Sequence, residues 1–531
     1  MADNSTNSTS SAPSTAPAAP AAASSAPASG TSTDSGSSSS SGSTSITHKL
    51  GLMGLTAIVF SSMIGGGIFN IAQNMAEAAG LGAVIISWII TGFGILFLVL
   101  TFKALADRKP ELNAGIYQYA QQGFGNYVGF NIAWGYWLCV ALGNVAYAVM
   151  LNDSFGAFWP VFLKHGWPTI IFGLVLIWGM FFLVVRGLQT ASGVNNIMTF
   201  IKFGALILII ILLCIYFKAG VFTKDFWGHM NIDGFKNLGG IGTQIESTML
   251  VTMWCFIGIE GAVMMSSRAK RSSDVGKASI LGFYLALILY AMVSILCFGV
   301  MTQPEMANLD DPSVAYVLRK VCGDWAYYFV VVTVILSLLS SWVAWTLVCA
   351  QTPYGAASVQ ILPKQFLRLN KKEMPAYGLV ASSIFMSIFM VLVCTAPNVY
   401  MAALNLTTVM VLPAYFFSGL YLWKVSVVKD ALGPNIKKSE LRKYLCIGII
   451  ATFYCAWCLY AGNLLLLLVT SIFYLPGTYF YFQTRRQLSP THKLTSKQLF
   501  KPYEWWIFIG LICCTVASII LLILHKVDLS S

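Results

Sequence analysis

The sequence predicts an all-α membrane protein with about thirteen transmembrane helices. Hydrophobic residues make up 57% of the 531-residue chain and charged residues only 10%. In soluble domains, charged residues make up about a quarter of the sequence. The mean hydropathy is +0.72. Apolar runs of about 20 residues, long enough to cross about 30 Å of hydrocarbon as helices, recur along nearly the whole chain. Because helices satisfy their own backbone hydrogen bonds, they can cross a bilayer.

The predicted spans follow the apolar runs in order, and a polar linker sets the last one apart. They cover residues 51–72, 82–106, 127–151, 168–186, 197–217, 245–266, 279–301, 325–350, 376–396, 399–423, 443–460, 462–482 and 504–525. Residues 1–46 are almost all Ser, Ala, Thr, Pro and Gly, so we expect a disordered cytoplasmic tail. Residues 47–485 are expected to form a core of twelve spans, and residues 486–531 a cytoplasmic linker and an extra C-terminal span.

Lysine and arginine follow an alternating pattern that predicts the topology. The chain carries a formal net charge of +12, and basic residues cluster in every second loop, as at Arg108–Lys109, Arg268–Lys277 and Lys437–Lys443. Because cytoplasmic loops are enriched in Lys and Arg, this pattern places the N-terminus in the cytoplasm. The basicity is therefore explained by topology. The expected partner is the lipid bilayer of the cell membrane, and no nucleic acid is expected.

The sequence shows no pattern that is typical of a cofactor site. Most of the twelve cysteines lie in predicted spans, without the loop spacing of a disulfide framework. Cys455 and Cys458 form a C-x-x-C, but no further Cys or His accompanies them to complete a metal site. No nucleophile with a neighbouring base and no phosphate-binding loop is recognisable. We therefore expect no metal, no cofactor, no catalytic residue and no enzyme activity.

Three consecutive glycines, Gly65, Gly66 and Gly67, stand in the middle of the first span. Each would cost about 1 kcal/mol in a continuous helix, so the sequence predicts a break here. A break frees backbone N–H and C=O groups at membrane depth, where protein or a hydrated cavity must satisfy them. The N–H groups of the second half-helix suit a carboxylate. The alternative is that the glycines only let another helix approach closely.

A second break is predicted in the sixth span, where Gly258, Glu260 and Gly261 interrupt the apolar run. The first and sixth spans run in opposite directions, so two such breaks predict an inverted repeat of spans one to five and six to ten. Glu260 is the only acidic residue expected deep in the bilayer, where an isolated charge costs at least about 2.5 to 3.5 kcal/mol. We expect it to act in gating or proton coupling. The alternative is a protonated carboxyl group that braces the broken helix.

Polar and aromatic residues in other spans are candidates for lining a cavity. Trp345 lies in the eighth span, Asn144 in the third and Thr407 in the tenth. Taken alone, each of them is more often explained by ordinary helix packing.

Two stretches of the sequence resemble motifs of a known family, the amino acid-polyamine-organocation (APC) transporters, and within it the basic amino acid/polyamine antiporters. Met63–Phe69 is similar to the glycine motif of that family's first helix, and Trp254–Glu260 is similar to its sixth-helix motif. The resemblance covers roughly residues 47 to 485, and arginine/ornithine antiporters look most similar. The Ser/Ala-rich tail and the thirteenth span depart from the twelve spans typical of the family.

The resemblance implies that backbone groups bind the common part of an amino acid. The positions similar to Met63, Gly66 and Gly67 bind the substrate carboxylate and amino groups, although Gly66 stands where the family has a serine. The carbonyl groups at Trp254 and Ile257 are similar to those that receive the substrate amino group.

The resemblance also implies roles for four side chains. Trp254 is similar to an aromatic residue that covers bound substrate, and Trp345 to a tryptophan that stacks on a guanidinium group. Asn144 aligns with an asparagine that contacts the guanidinium group. Glu260 aligns with the family's gating acid.

These implied roles favour antiport of basic amino acids by alternating access, with arginine exchanged for ornithine as the leading hypothesis. Histidine/histamine, lysine/cadaverine, ornithine/putrescine or agmatine/putrescine exchange and proton-coupled amino acid uptake remain alternatives. A channel should show a ring of charges or carbonyl groups, which the sequence lacks. A receptor that binds amino acids without moving them is a further alternative. The expected partners are small amino acids, arginine and ornithine, and the expected state is a monomer or homodimer.

Overall fold

The computed structural model describes residues 49–164, 166–228, 238–395, 397–428, 430–433, 436–462, 464–489 and 499–524. The predicted tail, residues 1–46, lies outside this part of the chain. The α-helices formed by the described residues are α1 (Leu52–Met63), α2 (Gly67–Ala78), α3 (Leu81–Arg108), α4 (Ile116–Phe124), α5 (Asn126–Gly156), α6 (Trp167–Val185), α7 (Leu188–Ile215), α8 (Ala219–Phe222), α9 (Ile241–Trp254), α10 (Gly261–Met264), α11 (Ser272–Cys297), α12 (Gln303–Ala307), α13 (Ser313–Cys322), α14 (Asp324–Ser358), α15 (Ala376–Thr395), α16 (Pro397–Val427), α17 (Lys438–Ala461), α18 (Leu464–Leu488) and α19 (Pro502–Ile523).

The prediction of an all-α, multi-pass membrane protein is confirmed. Among the described residues, ten helices are long and apolar enough to cross a membrane, and α1 with α2 forms an eleventh, bent crossing. The sixth predicted span corresponds to the pair α9 and α10 and the ninth to α15, whose apolar part is shorter, and neither is among these eleven. The helices follow the order of the predicted spans.

The helices differ from the predicted spans mainly in length. The fifth span was expected at 197–217 and the eighth at 325–350, whereas α7 begins at Leu188 and α14 continues to Ser358. A helix can continue beyond the hydrocarbon because polar side chains do not stop its backbone hydrogen bonding. The shorter helices α4, α12 and α13 were not predicted, since a search for runs of about 20 apolar residues passes over them.

Both predicted breaks are present, and they lie against each other. A bend of 41° separates α1 from α2, and a non-helical turn separates α9 from α10. The Ser62 hydroxyl donates a hydrogen bond to the Gly258 carbonyl oxygen at 2.9 Å. Gly258 has a φ of 110°, and a β-carbon there would lie 2.7 Å from the Ser62 hydroxyl oxygen. Both the backbone angle and the lack of space therefore favour glycine.

A ladder of hydroxyl groups joins α3 to α9. Ser87 pairs with Thr248 at 2.6 Å, and Thr91 pairs one turn later with Thr252 at 2.7 Å. Hydrogen bonds of this kind between membrane helices contribute about 0.6 kcal/mol each. The ladder ties the first half of the broken sixth span to the second span.

The last helix, α19, is fastened to the beginning of α5. One Glu504 carboxylate oxygen accepts a hydrogen bond from the backbone N–H of Tyr127 at 2.8 Å, and the other accepts one from the Lys501 N–H at 2.8 Å. The Tyr503 hydroxyl donates to the Phe124 carbonyl oxygen at 3.1 Å. A carboxylate beside the N-terminus of a helix is favourable for its dipole. Glu504 therefore caps α5 as well as its own helix.

Candidate functional site

The breaks in the first and sixth spans form one wall of a cavity. Parts of α5, α11, α14 and α16 complete the wall. The described lining residues are Ser62, Met63, Gly65, Gly66, Gly67, Cys139, Val140, Gly143, Ala146, Tyr147, Met150, Trp254, Ile257, Tyr290, Trp345 and Thr407. Of the eight predicted site residues, only Asn144 and Glu260 are not in this set. None of the described lining residues carries a charged side chain.

The carbonyl groups at the end of α1 are bonded to side chains from neighbouring helices. A helix leaves its last four carbonyl groups without partners inside the helix. Here the Tyr290 hydroxyl donates to the Met63 carbonyl oxygen at 2.9 Å. The Ser341 hydroxyl lies 2.6 and 2.8 Å from the carbonyl oxygens of Ser61 and Ile64 and shares its one proton between them. The protein itself therefore satisfies the acceptors that the break exposes, which removes the cost of leaving them unpaired.

The N–H groups at the start of α2 are in a different situation. The first N–H groups of a helix have no acceptor inside it, and no side chain caps α2. Gly66 and Gly67 line the cavity at this point. Because the helix dipole adds partial positive charge there, the start of α2 is suited to a carboxylate group from a ligand.

The glycines of the break also allow side chains from other helices to approach closely. A β-carbon at Gly65 would lie 2.9 Å from the Tyr147 hydroxyl oxygen, and one at Gly67 would lie 2.2 Å from the Trp254 ring. Real β-carbon contacts are not that short. Close packing was the alternative explanation of the glycines, and here it coexists with the helix break.

Trp254 and Ile257 are the residues of the sixth-span break that line the cavity. The Trp254 ring packs on Gly67, and both Trp254 and Ile257 line the cavity. The Trp254 carbonyl oxygen accepts a hydrogen bond from the Ile257 N–H at 3.1 Å. Since a carbonyl oxygen has two lone pairs, it retains capacity for one more donor.

Glu260 lies beyond the cavity lining, fully buried, and its carboxylate is held by three donors. The Tyr136 hydroxyl donates to one oxygen at 2.6 Å, and the Gly258 N–H donates to the other at 3.0 Å. The Tyr415 hydroxyl also donates to that second oxygen. Because Tyr136 belongs to α5 and Tyr415 to α16, the carboxylate joins three spans. Glu260 was predicted from the sequence, whereas neither tyrosine was.

Asn144 is buried beside the cavity on α5, although it does not line it. Neither its side-chain nitrogen nor its side-chain oxygen has a hydrogen-bond partner among the described residues. A buried amide left in this way costs about 1 to 3 kcal/mol. Its neighbours Gly143 and Tyr147 do line the cavity.

Lys202 on α7 is an ionisable residue that was not predicted as part of the site. It is completely buried, and its side-chain nitrogen donates to the Ile64 carbonyl oxygen at 2.6 Å. It also lies 5.8 Å from the centre of the Phe60 ring. The rule that singled out Glu260, a charged residue within a span, also applies to Lys202 in the predicted fifth span and would have found it.

The arrangement combines features that suit a small zwitterion with a cationic side chain. Helix N–H groups at α2 are suited to a carboxylate, and the aromatic faces of Trp254 and Trp345 are suited to a cation. Carbonyl groups at the sixth-span break can accept from an ammonium group. All of these groups border one cavity at the point where two helices are broken, which is where transporters of this architecture bind their substrates.

Comparisons with known proteins agree with this architecture. A family model described as amino acid permease matches residues 50–482. An arginine/agmatine antiporter of Chlamydia pneumoniae is 42% identical over 473 residues, which cover 88% of this chain and 96% of the relative. The arginine/agmatine antiporter of Chlamydia felis is 44% identical over 443 residues, with coverage of 83% and 90%. That of Chlamydia trachomatis is 43% identical over 437 residues, with coverage of 82% and 89%.

The family match extends over the twelve spans that the sequence analysis assigned to the core, and the relatives align over most of their own length. Both findings agree with the resemblance of the two glycine motifs to those of APC transporters. The relatives are transporters and not enzymes. This chain therefore belongs to the amino acid permease family of the APC superfamily and is a multi-pass membrane transporter.

Proposed function

We propose that this protein exchanges basic amino acids across the membrane by antiport, with arginine as one substrate. The observation that carries the proposal is that the cavity combines the start of α2 with the rings of Trp254 and Trp345 and has no charged side chain among its described lining residues. The names of the relatives, arginine/agmatine antiporters, support the same substrate.

The uncharged lining suits a transported cation. An aromatic face attracts a guanidinium group by about 0.5 to 2 kcal/mol, which is less than a buried carboxylate partner would contribute. A transporter must release its substrate on the other side, so binding has to remain moderate. Met63, Gly66 and Gly67 are proposed to bind the carboxylate and amino groups, with the carbonyl groups of Trp254 and Ile257 assisting.

The side chains at the other end of the substrate are proposed to act on the guanidinium group. Trp345 would stack on it, and the unpartnered amide of Asn144 would turn towards it. Glu260, joined to the α5 and α16 tyrosines, is proposed to couple the substrate site to gating or to proton movement.

Two counter-substrates are supported by different observations. Ornithine is the expectation from the motif resemblance, whereas agmatine is named for the relatives. Arginine and ornithine each carry one net positive charge at neutral pH, so their exchange moves no net charge. Agmatine lacks the carboxylate and carries two positive charges, so its exchange for arginine transfers one charge per cycle and responds to a membrane potential.

The experiment is uptake of radiolabelled arginine into proteoliposomes preloaded with ornithine, agmatine, arginine, lysine, histamine, putrescine or buffer alone. Antiport of basic amino acids requires uptake with arginine and with ornithine or agmatine inside, and little uptake into empty vesicles. A potassium diffusion potential should change the rate with agmatine inside but not with arginine or ornithine inside. Equal uptake into empty vesicles would contradict antiport and would indicate uniport or proton symport.

The location and topology belong to the same proposal. We place the N-terminus in the cytoplasm because the basic loops alternate along the chain. The proposed location is the plasma membrane, and the proposed state is a monomer or homodimer. Residues 1–46 would form a cytoplasmic tail and residues 486–531 a cytoplasmic linker and a thirteenth crossing. Labelling of single cysteines introduced at Lys371 and at Lys320 tests this, since only the second should react with an impermeant reagent in intact cells.

A further inference from the structure

A second cavity lies beside the start of the first span. Its wall combines the residue before α1 with the link between α3 and α4, with α4 itself and with the link between α10 and α11. No described residue lines both this cavity and the one at the helix breaks. The polar side chains that line it include those of Lys49, Lys109, Tyr119, Ser266, Ser267 and Ser272.

The charge of this second cavity is unsuited to a basic amino acid. Lys49 and Lys109 supply two positive charges, and none of the described lining residues is acidic. A Glu111 carboxylate oxygen lies 3.4 Å from the Lys109 ammonium nitrogen, but Glu111 does not line the cavity. Such a wall repels a cation and attracts an anion. The cavity therefore needs a ligand other than the substrates proposed above.

Tyr119 and Ser267 offer hydroxyl groups to such a ligand. Tyr119 is 1% exposed, and its ring stacks on that of Tyr421 with the centroids 6.0 Å apart. Its hydroxyl has no hydrogen-bond partner among the described residues, which is unfavourable for a buried polar group. The Ser267 hydroxyl accepts a hydrogen bond from the Gln351 amide at 2.9 Å, so its own proton remains available.

The start of α11 adds backbone donors to the same wall. This helix begins at Ser272, which lines the cavity, and no side chain caps it. The first N–H groups of a helix have no acceptor inside it, and the helix dipole adds partial positive charge there. Asp274 in the first turn does not line the cavity. Ammonium, hydroxyl and N–H donors together suit an anion with several acceptor oxygens, which is the chemistry of a phosphate group.

The cavity also lies where the two broken spans are joined. The Leu50 N–H donates to the Arg268 carbonyl oxygen at 2.7 Å, and the Lys270 N–H donates to the Leu50 carbonyl oxygen at 2.8 Å. Lys49 and Ala269, which flank this junction, both line the cavity. An anion bound between Lys49 and Ser267 would therefore brace the start of the first span against the end of the sixth.

We infer that this cavity is a binding site for a phosphate group, with Lys49, Lys109 and Tyr119 as its principal ligands. Two sources supply this chemistry: inorganic phosphate or a soluble phosphate ester, and the headgroup of an anionic phospholipid at the membrane surface. The inference goes beyond the proposed function, because none of these three residues lines the cavity at the helix breaks.

The test measures the melting temperature of the purified full-length protein in detergent. Sodium phosphate is titrated against sodium chloride of equal ionic strength, and short-chain phosphatidylglycerol against phosphatidylcholine of the same chain length. We expect a saturable rise in melting temperature with at least one of the two phosphate probes. Lys49→Gln and Lys109→Gln should each weaken that binding about 10-fold and Tyr119→Phe about 5-fold, as expected for the loss of one hydrogen bond to a charged group.

Two matched variants control for charge and for the loss of a tyrosine hydroxyl. Lys277→Gln removes an exposed lysine from α11, and Tyr421→Phe alters the ring that stacks on Tyr119; neither residue lines the cavity. Both should bind the probe as the wild-type protein does. A response to phosphate alone would identify a soluble ligand, and a response to phosphatidylglycerol alone a lipid headgroup.

The inference would be overturned by no rise with either probe beyond its reference. It would equally be overturned if Lys49→Gln, Lys109→Gln and Tyr119→Phe bound as the wild-type protein does, or if Lys277→Gln lost as much binding as they did. Tyr119→Phe keeps the stacked ring, so its result does not depend on a change of charge. Because the measurement requires no transport, failure of arginine exchange would refute the proposed function alone.

Discussion

The indole N–H of Trp345 donates a hydrogen bond to the carbonyl oxygen of Ser62 at 3.0 Å. This bond fixes the ring of the eighth span to the last turn of α1, directly before the break. The orientation of the aromatic face in the cavity therefore depends on the same backbone that is interrupted at the glycines. A cation stacked on this ring would be coupled to any movement of the first span.

Replacing Trp345 separates the role of its ring from that of its hydrogen bond. Trp345→Phe keeps an aromatic face but leaves the Ser62 carbonyl group unpaired, so we expect half-saturation by arginine to rise about 5-fold, equivalent to about 1 kcal/mol. Trp345→Ala also removes the face and should raise it at least 10-fold further. The measurement is arginine exchange at several concentrations. As a matched control, Trp137→Phe breaks an indole bond to Ser382 away from the lining and should leave half-saturation unchanged.

Glu260 is expected to govern the rate of exchange more than the affinity for substrate. Glu260→Gln keeps the size of the side chain, but its NH₂ group would face a donor where the carboxylate now accepts three hydrogen bonds. We expect exchange to slow by about 10-fold or more, because such a mismatch costs about 1 to 3 kcal/mol, and its pH dependence to flatten. Exchange rates at pH 5 to 8 provide the measurement. Unchanged rates with an unchanged pH profile would assign Glu260 a bracing role only.

Lys202 is expected to stabilise the broken first span. Lys202→Met retains a long side chain but removes the donor to Ile64, which keeps its hydrogen bond from Ser341 at 2.8 Å. Because the acceptor is still partly satisfied, we expect a loss of about 1 to 2 kcal/mol of stability rather than unfolding. Melting temperature in detergent, with and without arginine, measures the effect. The exposed residue Lys371 offers the control variant Lys371→Met, which should melt as the wild-type protein does.

Asp311 should make stability depend on pH. Partial desolvation, together with Asp153 and Asp310, raises the pKa of Asp311 to about 6, whereas an ordinary aspartate titrates near 3.9. Between about pH 4 and 6 the folded protein binds a proton that the unfolded chain releases, so stability falls as the pH rises through this window. Asp311→Asn stays neutral and should remove that decline. Since water reaches much of this side chain, Asp311→Asn should raise the free energy of unfolding at pH 7 by less than about 1 kcal/mol.

The corresponding measurement is the melting temperature at pH 5 and at pH 7 for both proteins. The wild-type protein should lose more stability between these values than Asp311→Asn does. Parallel behaviour of the two would show that other groups set the pH dependence.

The parts of the fold that depend on local sequence were predictable. Length and hydropathy locate a membrane helix because the hydrocarbon sets both, and adjacent glycines mark the break at Gly65 to Gly67 because three of them are costly in a helix. The same local rule identified Gly258 and the acidic Glu260 in the sixth span. The cavity then follows, since two broken helices have to place their free backbone groups somewhere that satisfies them.

What escaped prediction depends on contacts between distant residues. Tyr136 and Tyr415 approach Glu260 from 124 and 155 residues away, and tyrosine occurs in membrane spans for many reasons. The Met150 side chain lies close to Gly66, and this contact likewise depends on the packing of α5 against the first span. Lys202 is a different case, because its charge in an apolar run is visible in the sequence and was simply not singled out.

The carboxylate of Glu504 also bears on how the protein is made. It accepts the N–H of Tyr127, a residue 377 positions earlier in the chain, and α5 is the helix that carries Tyr136, Asn144 and Met150. During synthesis the third span enters the membrane long before the thirteenth exists. The first turn of α5 therefore gains this acceptor only after the last helix has been synthesised.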